Sequence, residues 1–411
     1  MSAPKADLKG VAEELVQYGR KSGATQVEVT AEDGTNFRVA VRDGNVETLV
    51  EAGARNISLR VFVDGRMANA SSSDLSTETL HRVIGRAIER AKLSGADPFA
   101  GLPGLEKVAV NVENLKLWDP KIPQMAPEAK IAWAKKLEAI GLKDKRIGKS
   151  LGAGFSTNYG TTVLANSSGF SGSYLSSVAV CNVGYQAGEG QNLFQEGWYD
   201  ATRALADLLP PEAVAAKAVD RATRLIGARK VETQNVPVIL EPTMTGQLLG
   251  FLAQCLDGEA LNQMQSFLAG KVGEKIGSDL VTVVDDGLLP GGLGTSPFDS
   301  EGVPTRKNVV MEKGVLKSYI LDTYNARKMK AKSTGNAGGP TNFYLAAGAS
   351  KPAEILKSVD KGLYLTGTMG QGTVASTGDI SRGAFGLWIE KGEVVHPVAE
   401  ITISGNLGKI L

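Results

Sequence analysis

The hydrophobic period of this chain changes twice within its first 95 residues, and that change limits the fold to antiparallel strands set between helices. Leu8, Val11, Ala12, Leu15, Val16 and Gly19 recur at i, i+3, i+4 and i+7 spacing, one face of an amphipathic helix over 7–22 that ends near Gly23. The period then falls to two, through Val27 and Val29, then Phe37, Val39 and Val41, then Ile57, Leu59, Val61 and Val63. Asp43-Gly44 and Asp64-Gly65 stand between these runs. Asp-Gly is a strong hairpin signal because the tight turn needs positive φ at its centre. The helical period returns with Leu80, Val83, Ile84, Ala87, Ile88 and Ala91, with Ser76 expected as N-cap and Glu78 favoured by the first-turn dipole. Helix, antiparallel strands and helix form a first domain over 1–95.

Residues 96–228 read as a linker and a middle domain. Asp97-Pro98, Leu102-Pro103, Asp119-Pro120 and Ile122-Pro123 make 98–126 loop-rich, with one strand expected. A helix follows from about Pro127 to Gly141, then a Gly- and Ser-rich alternating stretch over 147–200 suited to antiparallel strands. Pro211, at the first turn, opens an Ala-rich helix running to about Gly227. The third unit, 229–411, starts with the strand-like Val236-Pro-Val-Ile-Leu and a helix from about Thr243. Met311-Glu-Lys-Gly-Val and Ile389-Glu-Lys-Gly-Glu share one turn chemistry, with Gly where a tight turn needs positive φ. The whole is an α+β protein: an N-terminal helix/antiparallel-strand domain, a middle α/β segment and a β-rich C-terminal domain.

Composition removes several functions. A formal net charge of +1 over 411 residues gives no broad attraction to nucleic acid or to an anionic membrane. No run approaches the roughly 18 apolar residues of a spanning helix, and the N-terminus lacks the apolar core of a secretory signal. Two cysteines, Cys181 and Cys255, fit a reducing compartment rather than a disulfide framework. A cytoplasmic location is expected.

Catalytic patterns are thin. His81 and His396 are the only histidines, too few for a His-based zinc centre. Ser358-Val-Asp-Lys361 fits Ser-x-x-Lys without its companion motifs. Gly291-Gly-Leu-Gly294 has no helix N-terminus after it to receive a phosphate, so it reads as a turn. Asp285, Asp286, Asp299, Glu301 and Asp322 offer oxygen ligands for a hard cation but lack calcium-loop spacing, and solvated loop carboxylates are expected. A polar set remains that could contact peptide or another subunit: Arg306, Lys317, Tyr319, Asp322, Tyr324, Arg327, Asn336 and Arg382. Arginine pairs with carboxylates and tyrosine supplies a flat face and a hydroxyl. For any one of them, ordering a loop or sealing an interface is the default expectation.

Between Thr282 and Asn336, Gly/Pro-punctuated polar loops alternate with strand-like runs, and here the chain resembles a known family. Asp257-Gly-Glu-Ala, Ser266-Phe-Leu-Ala, Leu289-Pro-Gly-Gly-Leu-Gly, Asp299-Ser-Glu-Gly-Val-Pro-Thr, Ser381-Arg-Gly-Ala and Thr402-Ile-Ser-Gly-Asn look, in that order, like the TldD/PmbA family. The likeness is greater to the PmbA (TldE) branch. The family implies a cytoplasmic zinc-dependent peptidase built from two related chains, acting on unfolded or modified peptides in an enclosed chamber. Members have also been labelled modulators of DNA gyrase. TldD-like chains carry His-Glu-x-x-x-His on the helix after the first C-terminal strand. The matching window here is Gly246-Gln-Leu-Leu-Gly250-Phe251-Leu-Ala-Gln254-Cys255. Gly250 takes the first His position, Phe251 the Glu position and Cys255 the second His position, and a one-residue shift would bring Gln254 there. The family's third ligand, a Cys in a C-terminal Gly-rich loop, has no counterpart in Gly378-Asp-Ile-Ser-Arg-Gly-Ala-Phe-Gly. The resemblance therefore implies no catalytic residue and no metal in this chain, with zinc carried by a TldD-like partner. Two other readings stay open: a stand-alone peptide-binding or scaffold homodimer, and a hydrolase with an unrecognised Ser or Thr nucleophile.

Overall fold

Asp43 and Gly44 both adopt positive φ, 50° and 73°, and their turn closes a long hairpin between β1 (Gln26–Arg42) and β2 (Asn45–Val63). Asp64 and Gly65, at 49° and 75°, turn the chain again into β3 (Arg66–Ser72). The computed structural model describes residues 7–190 and 192–411. A one-residue bulge between Ala40 and Val41 shifts the register set by the first turn, so Glu28 lies opposite Arg60 and Val29 opposite Leu59. β4 (Ile147–Asn166) then pairs antiparallel with β1, from Glu28↔Asn166 to Val41↔Ala153. Strands from both sides of residue 95 thus share one six-stranded sheet, ordered β3-β2-β1-β4-β5-β6, completed by β5 (Ser171–Ala187) and β6 (Phe194–Thr202).

One face of that sheet carries two cores. Odd-numbered β1 residues Val27, Val29 and Ala31, with Ile57, Leu59 and Val61 of β2, are covered by α1 (Leu8–Lys21) and α2 (Thr77–Leu93). Further along the same strand Phe37, Val39 and Val41 pack with Phe155, Val183 and Tyr185 under α3 (Lys121–Gln124), α4 (Pro127–Gly141) and α5 (Pro211–Thr223). Each fully buried aliphatic side chain contributes roughly 1.5–3 kcal/mol before entropy is counted. Glu138 of α4 fixes the hairpin by accepting from the N–H of Asp43 at 2.9 Å and of Gly44 at 2.8 Å. Two details differ from expectation. Ser76 occupies the N-cap position but makes no side-chain cap bond; Asp74 instead accepts from the Ser76 N–H and the Thr79 hydroxyl. No strand forms between 98 and 126, where prolines withhold the ladder donors and a 3-10 turn, Val112–Leu115, and α3 take its place.

The C-terminal body holds two smaller sheets. In one, β7 (Val238–Leu240) runs parallel to β12 (Lys361–Met369), and β13 (Thr373–Val374), β14 (Asp379–Glu390) and β15 (Glu393–Asn406) follow antiparallel. The other, ordered β10-β9-β8-β11, contains β8 (Val283–Asp286), β9 (Lys307–Glu312), β10 (Val315–Leu316) and β11 (Phe343–Leu345). Lys313-Gly314 and Lys391-Gly392 make the two related turns, and the lysines as well as the glycines take positive φ. α6 (Pro242–Cys255) and α7 (Gly258–Asn262) follow β7, α8 (Thr323–Lys328) follows β10, α9 (Pro352–Lys357) precedes β12, and α10 (Leu407–Ile410) follows β15.

Arginines join the two halves. Arg203 donates to the carbonyls of Gly292 at 2.9 Å and Leu293 at 2.7 Å. This latch uses the Gly291–Gly294 turn as an acceptor of hydrogen bonds rather than as an anion cradle. Arg327 returns the contact from α8, donating to the carbonyls of Phe99 at 3.0 Å and Gly101 at 2.9 Å. Arg221 of α5 bonds Glu241, donates to Glu196 at 3.0 Å and reaches the Thr366 carbonyl at 3.3 Å. Arg224 forks onto Glu241, at 2.9 and 3.2 Å. Replacing Arg221 with Ala leaves two carboxylates, one of them fully enclosed, short of donors. The expected loss is about 3–5 kcal/mol in urea denaturation, whereas a loss below about 0.5 kcal/mol would place the network among ordinary surface pairs.

Candidate functional site

Helix α6 is where the sequence places the positions of interest. Pro242 stands in its first turn, and its N-cap, Glu241, is held by Arg221 and Arg224. Met244, Leu249, Phe251, Leu252, Ala253 and Cys255 are buried, while Gly246, Gly250 and Gln254 form the outward stripe. A Cβ at Gly250 would meet no atom within 4 Å. The Phe251 ring packs in the core with Leu252 and Leu256. Cys255 is fully buried beside them, and desolvation pushes its thiol up to about 11. Of the three positions, the bare backbone of Gly250 and the apolar ring of Phe251 offer no ligating atom, and Cys255 is a thiol whose burial favours its protonated form. Among the described residues no three His, Cys, Asp or Glu side chains are grouped to hold a metal ion.

A cavity of about 340 Å³ lies beside α6. Its walls are Met244, Leu248 and Phe251 of the helix, Leu240 of β7, Leu365 of β12, Ile380 of β14 and Ile403 of β15. Gln247, Thr368 and Arg382 supply polar groups to the same lining. Thr368 donates to the Gln247 amide oxygen at 2.9 Å and Arg382 to the same atom at 3.2 Å. Arg382 also donates twice to the Gly370 carbonyl, at 3.1 and 2.8 Å.

The other polar residues singled out from sequence lie elsewhere. Tyr319 is buried, donating to the Leu268 carbonyl at 2.7 Å and accepting from the Lys271 N–H at 3.0 Å. Asp322 caps α8 through the Asn325 N–H at 2.7 Å, and burial raises its carboxyl above the usual range. Tyr324 donates to Asp97 at 2.7 Å across the domain junction. Arg306 pairs with Glu106 at 3.1 Å and Lys317 with Glu312 at 3.4 Å, both at the surface. Asn336 is buried and donates to Asp285 at 2.6 Å. His81 pairs with Glu14 at 2.8 Å and stacks on Tyr18, and His396 stacks on Trp388.

The loop carboxylates are not solvated, contrary to expectation. Asp285, Asp286, Asp299 and Glu301 are all buried; Asp286 and Asp299 accept from backbone N–H groups of their own turns, and Asp285 and Glu301 from residues distant in sequence. Asp299 takes the N–H groups of Glu301, Val303 and Ala337 at 2.9, 3.0 and 2.9 Å. Glu301 accepts from the Thr323 N–H at 3.0 Å and from Arg60 at 3.0 Å, while Arg60 also bonds Glu28. Donors occupy the lone pairs a hard cation would need. Sequence reasoning missed this network and the one around Glu241. Counting register from the Asp43-Gly44 turn sets Glu28 against Leu59, and only the bulge between Ala40 and Val41, silent in the sequence, moves it opposite Arg60; Arg221 falls on the buried stripe of α5 with Val214 and Ala218.

Comparison with known proteins agrees along the length of the chain. The model described as PmbA/TldA metallopeptidase domain 1 matches residues 27–91, the central-domain model 120–226 and the C-terminal-domain model 233–411. The chain is 35% identical to Metalloprotease PmbA of Escherichia coli O157:H7, over 95% of this chain and 86% of the relative. A Metalloprotease TldD homolog of Buchnera aphidicola is 33% identical over 44% of this chain and 40% of its own length. Among solved structures, a Bacteroides thetaiotaomicron protein described as a modulator of DNA gyrase superposes with TM-score 0.90 and 29% identity, covering 99% of this chain and 92% of the other. TldE of Thermococcus kodakarensis does so with TM-score 0.87 and 25% identity, over 98% and 92%.

The junction network has a pH signature. Burial, opposed by Arg60, raises Glu28 from 4.5 to about 7, and burial raises Asp299 from 3.8 to about 6. Both folded values exceed the unfolded ones, so the native protein binds protons that the unfolded chain releases. The stability this confers is complete below the unfolded values and is lost as pH climbs through the folded ones. Glu28→Gln, which mimics the protonated acid, should match the wild-type melting temperature near about pH 4 and exceed it near about pH 8. Parallel melting curves across that range would refute the assignment.

Proposed function

The chain belongs to the PmbA/TldA metallopeptidase family, and on that premise we propose that it is the PmbA/TldE-like subunit of a two-chain zinc peptidase, lacking the metal itself. A TldD-like partner supplies zinc and the acid/base group. This chain shapes the chamber, helps to hold extended, unfolded or modified peptide, and stabilises the active partner. The observation that carries the reading is the chemistry of α6, where Gly250 is bare and the Cys255 thiol is buried and protonated. Peptide hydrolysis by a metal needs ligands, an open coordination position and a base, and these positions supply none of them.

The long sheet supports pairing with a second chain. β3 covers β2 only from Ile57 onward, so Asn45–Asn56 has β1 on one edge and no strand on the other among the described residues. Val46, Leu49 and Val50 on this stretch are exposed. A free strand edge with apolar side chains is a site for strand addition by a partner, and a related chain with the same hairpin is the occupant that fits. Both cysteines are free and buried, in keeping with a reducing cytoplasm. No helix among the described residues is long and apolar enough to cross a membrane.

The purified chain should carry well under one zinc per molecule and leave unfolded peptides intact. Adding a TldD-like chain should produce cleavage that a chelator abolishes. One zinc per molecule with cleavage by the isolated chain would overturn the proposal. Turnover that resists chelators and is lost on a single Ser or Thr change would favour the hydrolase reading.

A further inference from the structure

We propose that the α6 groove is a receptor for the free C-terminus of a peptide ending in a large apolar residue, whose side chain enters the cavity while its carboxylate meets Arg382. The inference rests on the reading that this chain holds peptide, and it is independent of where the zinc resides.

Three observations converge on this ligand. The cavity, about 340 Å³, lies at the small end of the range for ligand pockets. It admits a side chain with little more, and Leu248, Phe251, Leu365, Ile380 and Ile403 make its walls apolar. Arg382 carries an uncompensated charge. Its partners among the described residues are the Gly370 carbonyl and the Gln247 amide oxygen, both neutral. The nearer carboxylate in sequence on its own strand, Asp379, is engaged by Thr377 at 2.7 Å and Asn406 at 2.8 Å instead. Gln247 supplies the third observation. Its oxygen accepts from both Thr368 and Arg382, and the guanidinium, which has no acceptor, sets the amide orientation because it could not face an NH₂ group. The amide NH₂ makes no hydrogen bond to any described residue, so a donor stands beside the guanidinium on the same wall. A guanidinium and an adjacent amide N–H above an apolar cavity complement a carboxylate attached to an apolar side chain. An amidated or internal residue would fill the cavity equally well but leave Arg382 without its anion.

The test uses the isolated full-length chain, with chelator present, and fluorescently labelled short peptides ending in Phe as the free acid or as the C-terminal amide. Fluorescence polarisation should show saturable binding of the acid, with the amide weaker by about tenfold or more, the effect expected for losing a charge-assisted hydrogen bond. Arg382→Gln should bring the acid down to the affinity of the amide, while Arg382→Lys should keep part of the difference. Ile403→Trp, filling the cavity, should weaken both peptides together. Thermal unfolding of each variant confirms that it is folded. Equal affinity for acid and amide in the wild type, or absence of binding by the folded wild type, would overturn the proposal. The metal plays no part in this measurement, so zinc-dependent cleavage by the isolated chain would refute the subunit assignment while leaving an acid-over-amide preference standing.

Discussion

The placement of α6 between the two halves of the molecule depends on the pair of arginines that grip Glu241. That carboxylate is the N-cap of α6 and is 4% exposed. An isolated buried carboxylate would cost several kcal/mol and would protonate instead. Here Arg221 and Arg224 surround it, and their bonds and charges outweigh desolvation, holding its pKa below the usual value. Such a network does not guarantee added stability over an apolar one of the same shape. It fixes geometry: the Arg224 fork and one nitrogen of Arg221 meet one planar acceptor, so the end of α5 sets the start of α6 in the C-terminal body. Arg203 and Arg327 serve the same junction by another route, donating to backbone carbonyls. Neutral acceptors do not compensate the charge fully, and burial lowers the pKa of Arg203.

The parts of the fold legible in sequence are those set by local chemistry. Asp-Gly at 43–44 and 64–65 requires the turns seen, and the two-residue period then dictates which β1 and β2 residues face inward. Pro127 and Pro211 open helices where their φ and missing donor permit. Pairing at long range was not legible. Nothing in the local pattern of 26–42 and 147–166 announces that they are neighbours, since each alternates well enough to pair with its own hairpin partner. The sheet therefore crosses residue 95, where composition alone suggests a division.

The candidate site was legible to a different degree. Amino-acid type alone shows that Gly250 and Phe251 cannot ligate, and α6 could be placed to within a residue or two. The meaning of the polar loop residues was hidden because it depends on solvent exposure. Tyr319, Asn336 and Asp299 have the chemistry of contact residues, yet each is buried with its donors and acceptors satisfied inside the protein. A Gly/Pro-rich loop that enters the interior must satisfy its own backbone, and acidic and amide side chains are the means. Arg382 is told from these residues only in three dimensions, through the cavity it lines and the lack of a carboxylate partner among the described residues.

Packing and metal ligation place opposed demands on α6. A ligand must reach a wet, open position and shed its proton, whereas a core residue must be dry. Along this helix Met244 joins one apolar cluster with Leu363 and Trp388, and Leu249, Leu252 and Cys255 join another with Val310 and Leu316. The helix is thus the spine between two cores of the C-terminal body, and its inward face is committed to both. On the outward face Gly250 brings no side chain at all. Restoring a single imidazole at Gly250 would give one ligand on an exposed helix surface, with Phe251 still apolar and Cys255 still protonated in the core. A metal centre would require rebuilding the inward face as well, at the expense of the apolar packing that holds α6 in place. At Phe251 and Cys255 the side chains that pack the helix into its cores are the same ones that would have to change for it to present an open set of ligands.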